Sequence, residues 1–192
     1  MFPYYQCFHI NKHGNEIGSK DKQYFSIPVP TGTGLWKLNS YKNTFGEDDD
    51  EKYLSLEGAG IFSNSATTNS RMTALLFIDK DYNFSFRLIE YDSHIVKTDD
   101  IYNYKIKDAT DKIHEITLYN NNQSGQMSPS LWYSTTQKKE IINNVLNNEG
   151  IITISVKEEN SYYTPSTYLF KLDITGFKKA MSYLQNPNTK NN

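Results

Sequence analysis

The sequence predicts a mainly β protein, an antiparallel β-sandwich or partly closed barrel with two short covering helices. Two observations favour this fold class. Apolar and polar residues alternate over much of the chain, which is the period-2 pattern of strands with one buried face. Aromatic residues, which favour strands, make up 14% of the chain. The 192 residues suffice for a hydrophobic core that needs neither disulfide nor metal.

The clearest elements lie in the last third of the chain. Apolar and polar residues alternate over 151–156 and again over 168–174, and the polar stretch 157–165 between them ends in Thr164-Pro165. These stretches predict two antiparallel strands joined by a turn. The helix that follows, over 176–185, is predicted by apolar residues at i, i+3, i+4 and i+7. They are Phe177, Ala180, Met181 and Leu184.

The middle of the chain predicts about six further strands and one more helix. Gly58 and Gly60 interrupt the strand material from Tyr53 to Phe62 and indicate a bulge or a close backbone approach. The almost continuously apolar run 72–78 predicts a central strand covered on both faces. The other predicted strands are 35–41, 84–91, 101–107 and 113–119, with hairpins joining 72–78 to 84–91 and 101–107 to 113–119.

The other helix is predicted over 135–148. Ser134 and Gln137 have the spacing of a capping box, an apolar stripe follows, and Gly150 marks the stop. The domain organisation that results is an N-terminal extension or pair of edge strands over 1–30, one β-rich domain over 31–185, and a disordered tail over 186–192.

Charge and composition exclude several classes of protein. The net charge is −2 and the basic residues are scattered, which argues against a nucleic-acid surface. A single cysteine, Cys7, rules out an internal disulfide framework. No run of 18 apolar residues indicates a transmembrane helix. No cofactor is predicted, because the chain has no glycine-rich phosphate loop with its Lys-Ser/Thr.

Three stretches carry a resemblance to a known family. They are Trp36 with Phe45-Gly-Glu47 and Glu51-Lys-Tyr53, the run Gly-Ile-Phe-Ser-Asn-Ser-Ala-Thr-Thr-Asn-Ser over 60–70, and Leu-Phe-Ile-Asp-Lys over 76–80. Together they resemble a family of uncharacterised bacterial proteins often predicted to be exported or lipid-anchored. The C-terminal pattern from Tyr168 to Ala180 is also similar to small periplasmic β-sandwich proteins linked to host invasion. The resemblance implies a β-sandwich and export, and no activity.

Localisation depends on whether a leader was removed. The first residues lack the charged and apolar regions of a signal peptide. We therefore expect a place in the cell envelope or outside the cell if a leader has been cleaved, and in the cytoplasm otherwise.

A run of carboxylates is the first candidate for a metal site. Glu47, Asp48, Asp49, Asp50 and Glu51 could bind Ca²⁺ through several oxygens. The alternative interpretation is an exposed, solvated loop, because neighbouring carboxylates repel each other and cannot be buried unpaired.

A second acidic pattern follows the strand 72–78. Asp79, Asp81, Asn83 and Glu90 occupy four ligand positions of a calcium loop, but Phe84 stands where that loop requires glycine. Asp and Asn are also the residues of a tight turn. We therefore predict a hairpin turn here.

Aromatic residues are the candidates for ligand binding. Large aromatic side chains dominate binding hot spots and stack on sugar rings. The alternative for the tryptophans is a place in the core, where their large apolar surface is normally hidden. The candidates are Trp36, Trp132, Tyr133, Tyr162 and Tyr163.

No catalytic constellation is recognisable in the sequence. Gly-x-Ser-x-Gly is absent, and no Ser or Cys stands in a known pattern with His and a carboxylate. We therefore expect a non-catalytic binding or structural module of the bacterial cell envelope with a protein or glycan partner. The alternatives are a hydrolase with a loop-built site and a cytosolic inhibitor or partner protein, and the oligomeric state is left open.

Overall fold

The computed structural model describes residues 4–6, 24–26, 35–42, 45–96, 100–121, 124–129, 135–159 and 165–186. Strands β1 (Tyr4–Gln6) and β2 (Tyr24–Ser26) form a separate two-stranded antiparallel ladder. The other strands are β3 (Lys37–Lys42), β4 (Asp48–Ser63), β5 (Ser70–Asp79), β6 (Phe84–Glu90), β7 (His94–Ile95), β8 (Ile101–Lys107), β9 (Ile113–Asn121), β10 (Gln126–Ser128), β11 (Ile151–Glu158) and β12 (Thr167–Asp173). The helices are α1 (Thr135–Asn147) and α2 (Phe177–Gln185).

Eight of these strands close into an antiparallel barrel in the order β10-β9-β8-β11-β12-β4-β5-β6. The barrel closes where β10 pairs with β6, with Met127 opposite Phe86. Strands β3 and β7 lie outside this ring, on β4 and β6 respectively. The mainly β fold with two helices is confirmed, as are the predicted hairpins β5–β6, β8–β9 and β11–β12. Of the two architectures left open by the sequence, the structure has the barrel.

The barrel interior is filled by side chains. Inward positions alternate with outward ones along the strands, so each strand contributes every second residue to one hydrophobic core. The closing strand β10 is fixed from inside, since the fully buried Tyr104 hydroxyl donates a hydrogen bond to the sulfur of Met127 at 2.8 Å. The ring of Phe86 lies 5.1 Å from that of Tyr104. Aromatic contacts inside the barrel therefore support its closure.

Strand β4 runs through both glycines without interruption. Its register with β5 is regular from Tyr53 to Phe62, so the bulge predicted at Gly58 and Gly60 is wrong. The close backbone approach is confirmed. A Cβ atom on Gly58 would lie 2.2 Å from the carbonyl oxygen of Lys171, and one on Gly60 would lie 2.2 Å from that of Leu169. These two residues let β12 lie directly against β4.

The prediction that β5 is covered on both faces is wrong. Its burial alternates strictly, with Met72, Ala74, Leu76 and Ile78 buried and the residues between them half-buried. The apolar residues on the outward side include Phe77. An antiparallel barrel strand has only one face toward the core, so the continuous apolar run reflects an apolar outer surface here.

Both predicted helices are present, and they join the core at one end of the barrel. Helix α1 buries Ile142, Val145 and Leu146, and Asn148 just after it donates to the Asp108 carboxylate in the β8–β9 turn at 3.2 Å. Helix α2 buries the four apolar residues predicted for it. At its end the Gln185 amide donates to the Lys80 carbonyl in the β5–β6 turn at 3.4 Å. The helices therefore cover the end at which these turns lie.

Some predictions fall on residues outside the described ranges. The capping residue Ser134, most of the extension 1–30 and the tail after residue 186 are among them. Within the described ranges, neither helix has the length and apolar character needed to cross a membrane.

We expect Phe177→Ala to lower the free energy of unfolding by about 3 to 5 kcal/mol, because it leaves a cavity in the core. The Phe177 side chain is 1% exposed, and its ring lies 5.3 Å from that of Trp36. Urea unfolding followed by tryptophan fluorescence measures the change, with the exposed neighbour Lys178→Ala as control. A midpoint equal to that of the wild type would contradict the role of α2 in the core.

Gly60→Ala should destabilise the fold by about 3 kcal/mol, because the added methyl group collides with the backbone of β12. Gly46→Ala is the comparison, since Gly46 has a positive φ of 81° with open space around it and should lose only about 1 kcal/mol. Thermal unfolding of both variants separates steric collision from backbone strain. Equal losses would show that the contact between β4 and β12 tolerates a side chain.

Candidate functional site

The strongest candidate site is a groove on the outer surface of the barrel. It has a volume of about 440 Å³ and crosses strands β3, β4, β5 and β6. We call it the aromatic groove and define it by Tyr41, Tyr53, Phe77 and Arg87, with Asp79 at its edge. A volume of this order is within the usual range for small-molecule sites.

The aromatic side chains of the groove form a continuous row. The ring centroids of Tyr41 and Tyr53 are 4.8 Å apart, and those of Tyr53 and Phe77 are 5.9 Å apart in an edge-on arrangement. Both separations lie in the favourable range for aromatic pairs. Tyr41 is 44% exposed, so one end of the row is open to solvent. The row therefore offers a fixed aromatic surface to a ligand.

Arg87 ends the row with a cation over an aromatic ring. Its guanidinium carbon lies 5.4 Å from the ring centroid of Phe77, which holds the planar group in place. The Nε atom is buried and has no hydrogen-bond partner. Within the described ranges Arg87 also forms no salt bridge. A buried donor without an acceptor is costly. Because no described carboxylate pairs with Arg87, its guanidinium is a charged donor in the lining of the groove that a ligand oxygen could engage.

The β5–β6 turn gives the groove a rigid polar edge. One carboxylate oxygen of Asp79 accepts hydrogen bonds from the backbone N–H groups of Asp81 and Asn83, both at 2.9 Å. The other accepts from the side-chain amide of Asn83 at 2.6 Å. This confirms the hairpin turn predicted here. Partial burial, and then the nearby Asp79 carboxylate, raise the pKa of Tyr41, so its hydroxyl stays protonated and can donate a hydrogen bond.

The sequence carried one signal for this groove that the strand assignments did not use. In β4, Tyr53 precedes the inward Leu54, and in β5, Phe77 lies between the inward Leu76 and Ile78. Large aromatic residues thus occupy outward-facing positions on neighbouring strands. This placement predicts an aromatic outer surface, but only the pairing of the strands brings Tyr41, Tyr53 and Phe77 into one row.

Trp36, a predicted binding residue, is a core residue instead. Its side chain is 0% exposed, and the indole nitrogen donates to the carbonyl oxygen of Ile174 at 3.4 Å. It lies just before β3 and packs against Phe177 of α2. Because it has no surface for a ligand, the structure corrects its assignment as a binding residue. The other aromatic candidates, Trp132, Tyr133, Tyr162 and Tyr163, lie outside the described residues.

The acidic candidates for a metal site are not gathered around a point. Asp48, Asp49, Asp50 and Glu51 begin strand β4 rather than forming the predicted loop, and they and Glu47 are exposed as predicted. An extended chain directs alternate side chains to opposite faces, which separates neighbouring carboxylates. Asp48 is in addition ion-paired with Lys42 at 2.5 Å. Among the described residues, no group of three potential ligands has the arrangement of a metal site.

One buried carboxylate is saturated by structural hydrogen bonds. Asp108 follows β8, and one of its oxygens accepts from the Thr110 and Lys112 N–H groups and the Thr110 hydroxyl at 2.7 to 3.1 Å. The other lies 2.8 Å from Nε2 of His114. Burial alone would raise the pKa of Asp108, but these hydrogen bonds lower it well below its usual range. This His-Asp pair thus fixes the β8–β9 turn and the chain after α1.

A second titratable pair, of the buried Tyr168 and the half-buried Glu90, lies toward the opposite end of the barrel. The Tyr168 hydroxyl, in a residue only 2% exposed, donates to the Glu90 carboxylate at 3.0 Å. Burial raises the pKa of Glu90, and the hydrogen bond from Tyr168 opposes this shift. Burial also raises the pKa of Tyr168. A carboxyl group with a raised pKa is a feature of catalytic acids, and Glu90 is the described residue that best fits the hydrolase alternative.

Asp108→Asn should cost about 3 kcal/mol at neutral pH, because an amide nitrogen replaces an acceptor for buried donors. The folded pKa of Asp108 lies below the ordinary 3.8, so its contribution is present above that pH and lost as the pH falls below it. When urea unfolding is measured at several pH values, the free energy of unfolding of the variant should therefore fall less than that of the wild type as the pH is lowered. The exposed Asp111→Asn is the control, and an equal loss there would contradict the role of Asp108.

Comparisons with protein families, with curated proteins and with solved structures find no match for this chain. The family resemblance suggested by residues 36–80 and 168–180 therefore stays a prediction, as does the export that it implies. The function has to be argued from the geometry of the barrel itself.

Proposed function

We propose that the protein is a non-catalytic binding module that holds a polyhydroxylated, sugar-sized ligand in the aromatic groove. The observation that carries this proposal is the row of Tyr41, Tyr53 and Phe77 ending in Arg87, whose buried Nε has no acceptor. A site built for a ligand presents a few directed polar groups beside apolar surface. The aromatic groove has both.

The chemistry of the groove matches a sugar ring better than a protein surface. The C–H face of a sugar lies flat on an aromatic ring, while its hydroxyl groups need donors and acceptors around the edge. The groove supplies donors from Arg87 and Tyr41, and the polar side chains of Asp79, Asn83 and Gln126 line it as well. Its volume of about 440 Å³ suits one small ligand, whereas a stable protein interface buries roughly 800 Å² on each partner.

Acidic surroundings favour a neutral ligand over an acidic one. The exposed carboxylates at the start of β4 lie next to β3, and Asp79 lies near enough to Tyr41 to raise its pKa. The lining itself holds Lys42 and Arg87 against Asp79, and Lys42 is ion-paired with Asp48, so the groove lacks the strong positive charge that would favour an anionic sugar. Arg87 would then donate to a hydroxyl or ring oxygen of a neutral ligand.

The hydrolase alternative has one supporting observation, the half-buried carboxyl group of Glu90, whose pKa is raised by desolvation. Its hydrogen bond to Tyr168 occupies one oxygen, and a hydrolase of this kind needs a second group that acts on the same bond. The inhibitor alternative has only the exposed carboxylates of β4. The aromatic groove is the better-built site, and a place in the cell envelope stays a prediction that the resemblance alone supports.

We expect neutral tetrasaccharides to raise the unfolding temperature of the wild-type protein. A ligand present at a hundredfold excess over its Kd stabilises the native state by about 2.7 kcal/mol. The panel is chitotetraose, cellotetraose and maltotetraose, followed by calorimetric titration of the best ligand. Tyr41→Ala and Arg87→Gln should each weaken binding by about tenfold or more.

Tyr119→Ala is the matched control, because Tyr119 is also an outward tyrosine on a barrel strand and is 38% exposed. It should bind the sugar as well as the wild type does. A panel without any shift would refute the glycan proposal and leave a protein partner as the next candidate. Equal weakening by Tyr41→Ala and Tyr119→Ala would show that the binding is not in the groove.

A further inference from the structure

Two polar side chains lie next to each other at the end of the aromatic groove, those of Arg87 in β6 and Gln126 in β10. Met127 of β10 pairs antiparallel with Phe86 of β6, so the residue before Met127 lies beside the residue after Phe86. Met127 and Phe86 are buried in the barrel, which directs their neighbours Gln126 and Arg87 to the outer surface. Both neighbours line the groove.

The hydrogen-bonding groups of this pair are open to a ligand. The backbone N–H of Gln126 donates to the Ser124 hydroxyl at 3.3 Å, while its side-chain amide has no hydrogen bond to a described residue. The Nε atom of Arg87 has no acceptor within the described ranges either. The pair therefore offers N–H donors from Arg87 and both a donor and an acceptor from Gln126.

The position of Arg87 suits a planar acceptor. Its guanidinium lies over the ring of Phe77, which is its diagonal neighbour on β5 because Arg87 pairs with Leu75. A guanidinium directs its N–H groups within one plane, and a carbonyl oxygen accepts hydrogen bonds in the plane of its own substituents. A sugar hydroxyl oxygen lacks this planar geometry. A carbonyl oxygen is therefore the better match for Arg87.

A neutral amide would use both side chains at once. Its carbonyl oxygen would accept from the Arg87 guanidinium, and its N–H would donate to the side-chain oxygen of Gln126. A carboxylate would also accept from Arg87, but it has no hydrogen to donate to that oxygen. Among the common substituents of sugars, the acetamido group is the one that contains an amide.

We propose that the aromatic groove binds an N-acetylated sugar, whose acetamido group lies between Arg87 and Gln126. This assignment, which rests on the proposed function, names the class of sugar that the groove takes. The methyl of the acetamido group would contact Phe77, and the sugar ring would lie over Tyr53. Tyr41, whose ring centroid is 4.8 Å from that of Tyr53, would contact the next sugar of an oligosaccharide. Arg87 and Gln126 then determine the specificity of the groove.

Chitotetraose and cellotetraose test this assignment in the wild-type protein. Both are chains of four β-1,4-linked sugars, and they differ only in carrying an acetamido or a hydroxyl group at C2. Each is titrated calorimetrically into the full chain. Chitotetraose should bind about tenfold more tightly or better, because a site built to hydrogen-bond a substituent discriminates against an analogue that lacks it.

Two variants should reduce this preference. Gln126→Met removes the acceptor for the amide N–H but keeps the length of the side chain, and Arg87→Gln removes the charged donor to the carbonyl oxygen. Each should weaken chitotetraose more than cellotetraose, so that the ratio of the two affinities falls toward one. Ser128→Ala should preserve the ratio, since Ser128 is the other outward residue of β10 and is not among the residues that line the groove. Circular dichroism checks that each variant is folded.

Three outcomes would overturn the acetamido assignment and leave the groove as a sugar site. The first is equal affinity of the wild type for chitotetraose and cellotetraose. The second is tighter binding of the acidic tetragalacturonate than of chitotetraose, which would favour a carboxylate. The third is a preference for chitotetraose that survives in both variants. Binding of none of these tetrasaccharides would refute the proposed function itself and this assignment with it, so the two failures are distinguishable.

Discussion

The contact between the backbones of β4 and β12 is the constraint on which the rest of the barrel depends. Strand β4 is 16 residues long and pairs with β3, β5 and β12. Gly58 and Gly60 make the last of these pairings feasible, since any side chain there would overlap the carbonyl groups of β12. Without it the ring of strands would open between β12 and β4. The two halves of the barrel would then lose their common core.

The interior of the barrel is filled by packed side chains. Aliphatic and aromatic side chains fill it, and the one carboxylate buried among the described residues, that of Asp108, accepts the hydrogen bonds of a turn. Even Tyr104 has its hydroxyl group engaged, by Met127. A fully packed barrel of eight strands has no central ligand cavity. The aromatic groove accordingly lies on the outer surface of the barrel.

Each barrel strand serves both the core and the outer surface, because its side chains alternate between the two. In β4 and β5 the outward positions carry aromatic residues, and the acidic start of β4 lies nearby. In β8 and β11 the outward positions carry lysines and neutral polar groups. The barrel thus presents an aromatic surface on one part and a basic surface on another.

The sequence by itself determined the β class, most strand positions, the main hairpins and both helices, because the period of its apolar residues is a local property. It also indicated the close approach at Gly58 and Gly60. Only the tertiary structure decided between sandwich and barrel, since this depends on the pairing of three-residue β10 with β6. The sites were decided in the same way. Tyr41, Tyr53, Phe77 and Arg87 come from four strands, and only the pairing of those strands brings their side chains into one row. The core position of Trp36 depends on contacts with Ile174 and Phe177, which lie more than 130 residues later in the chain.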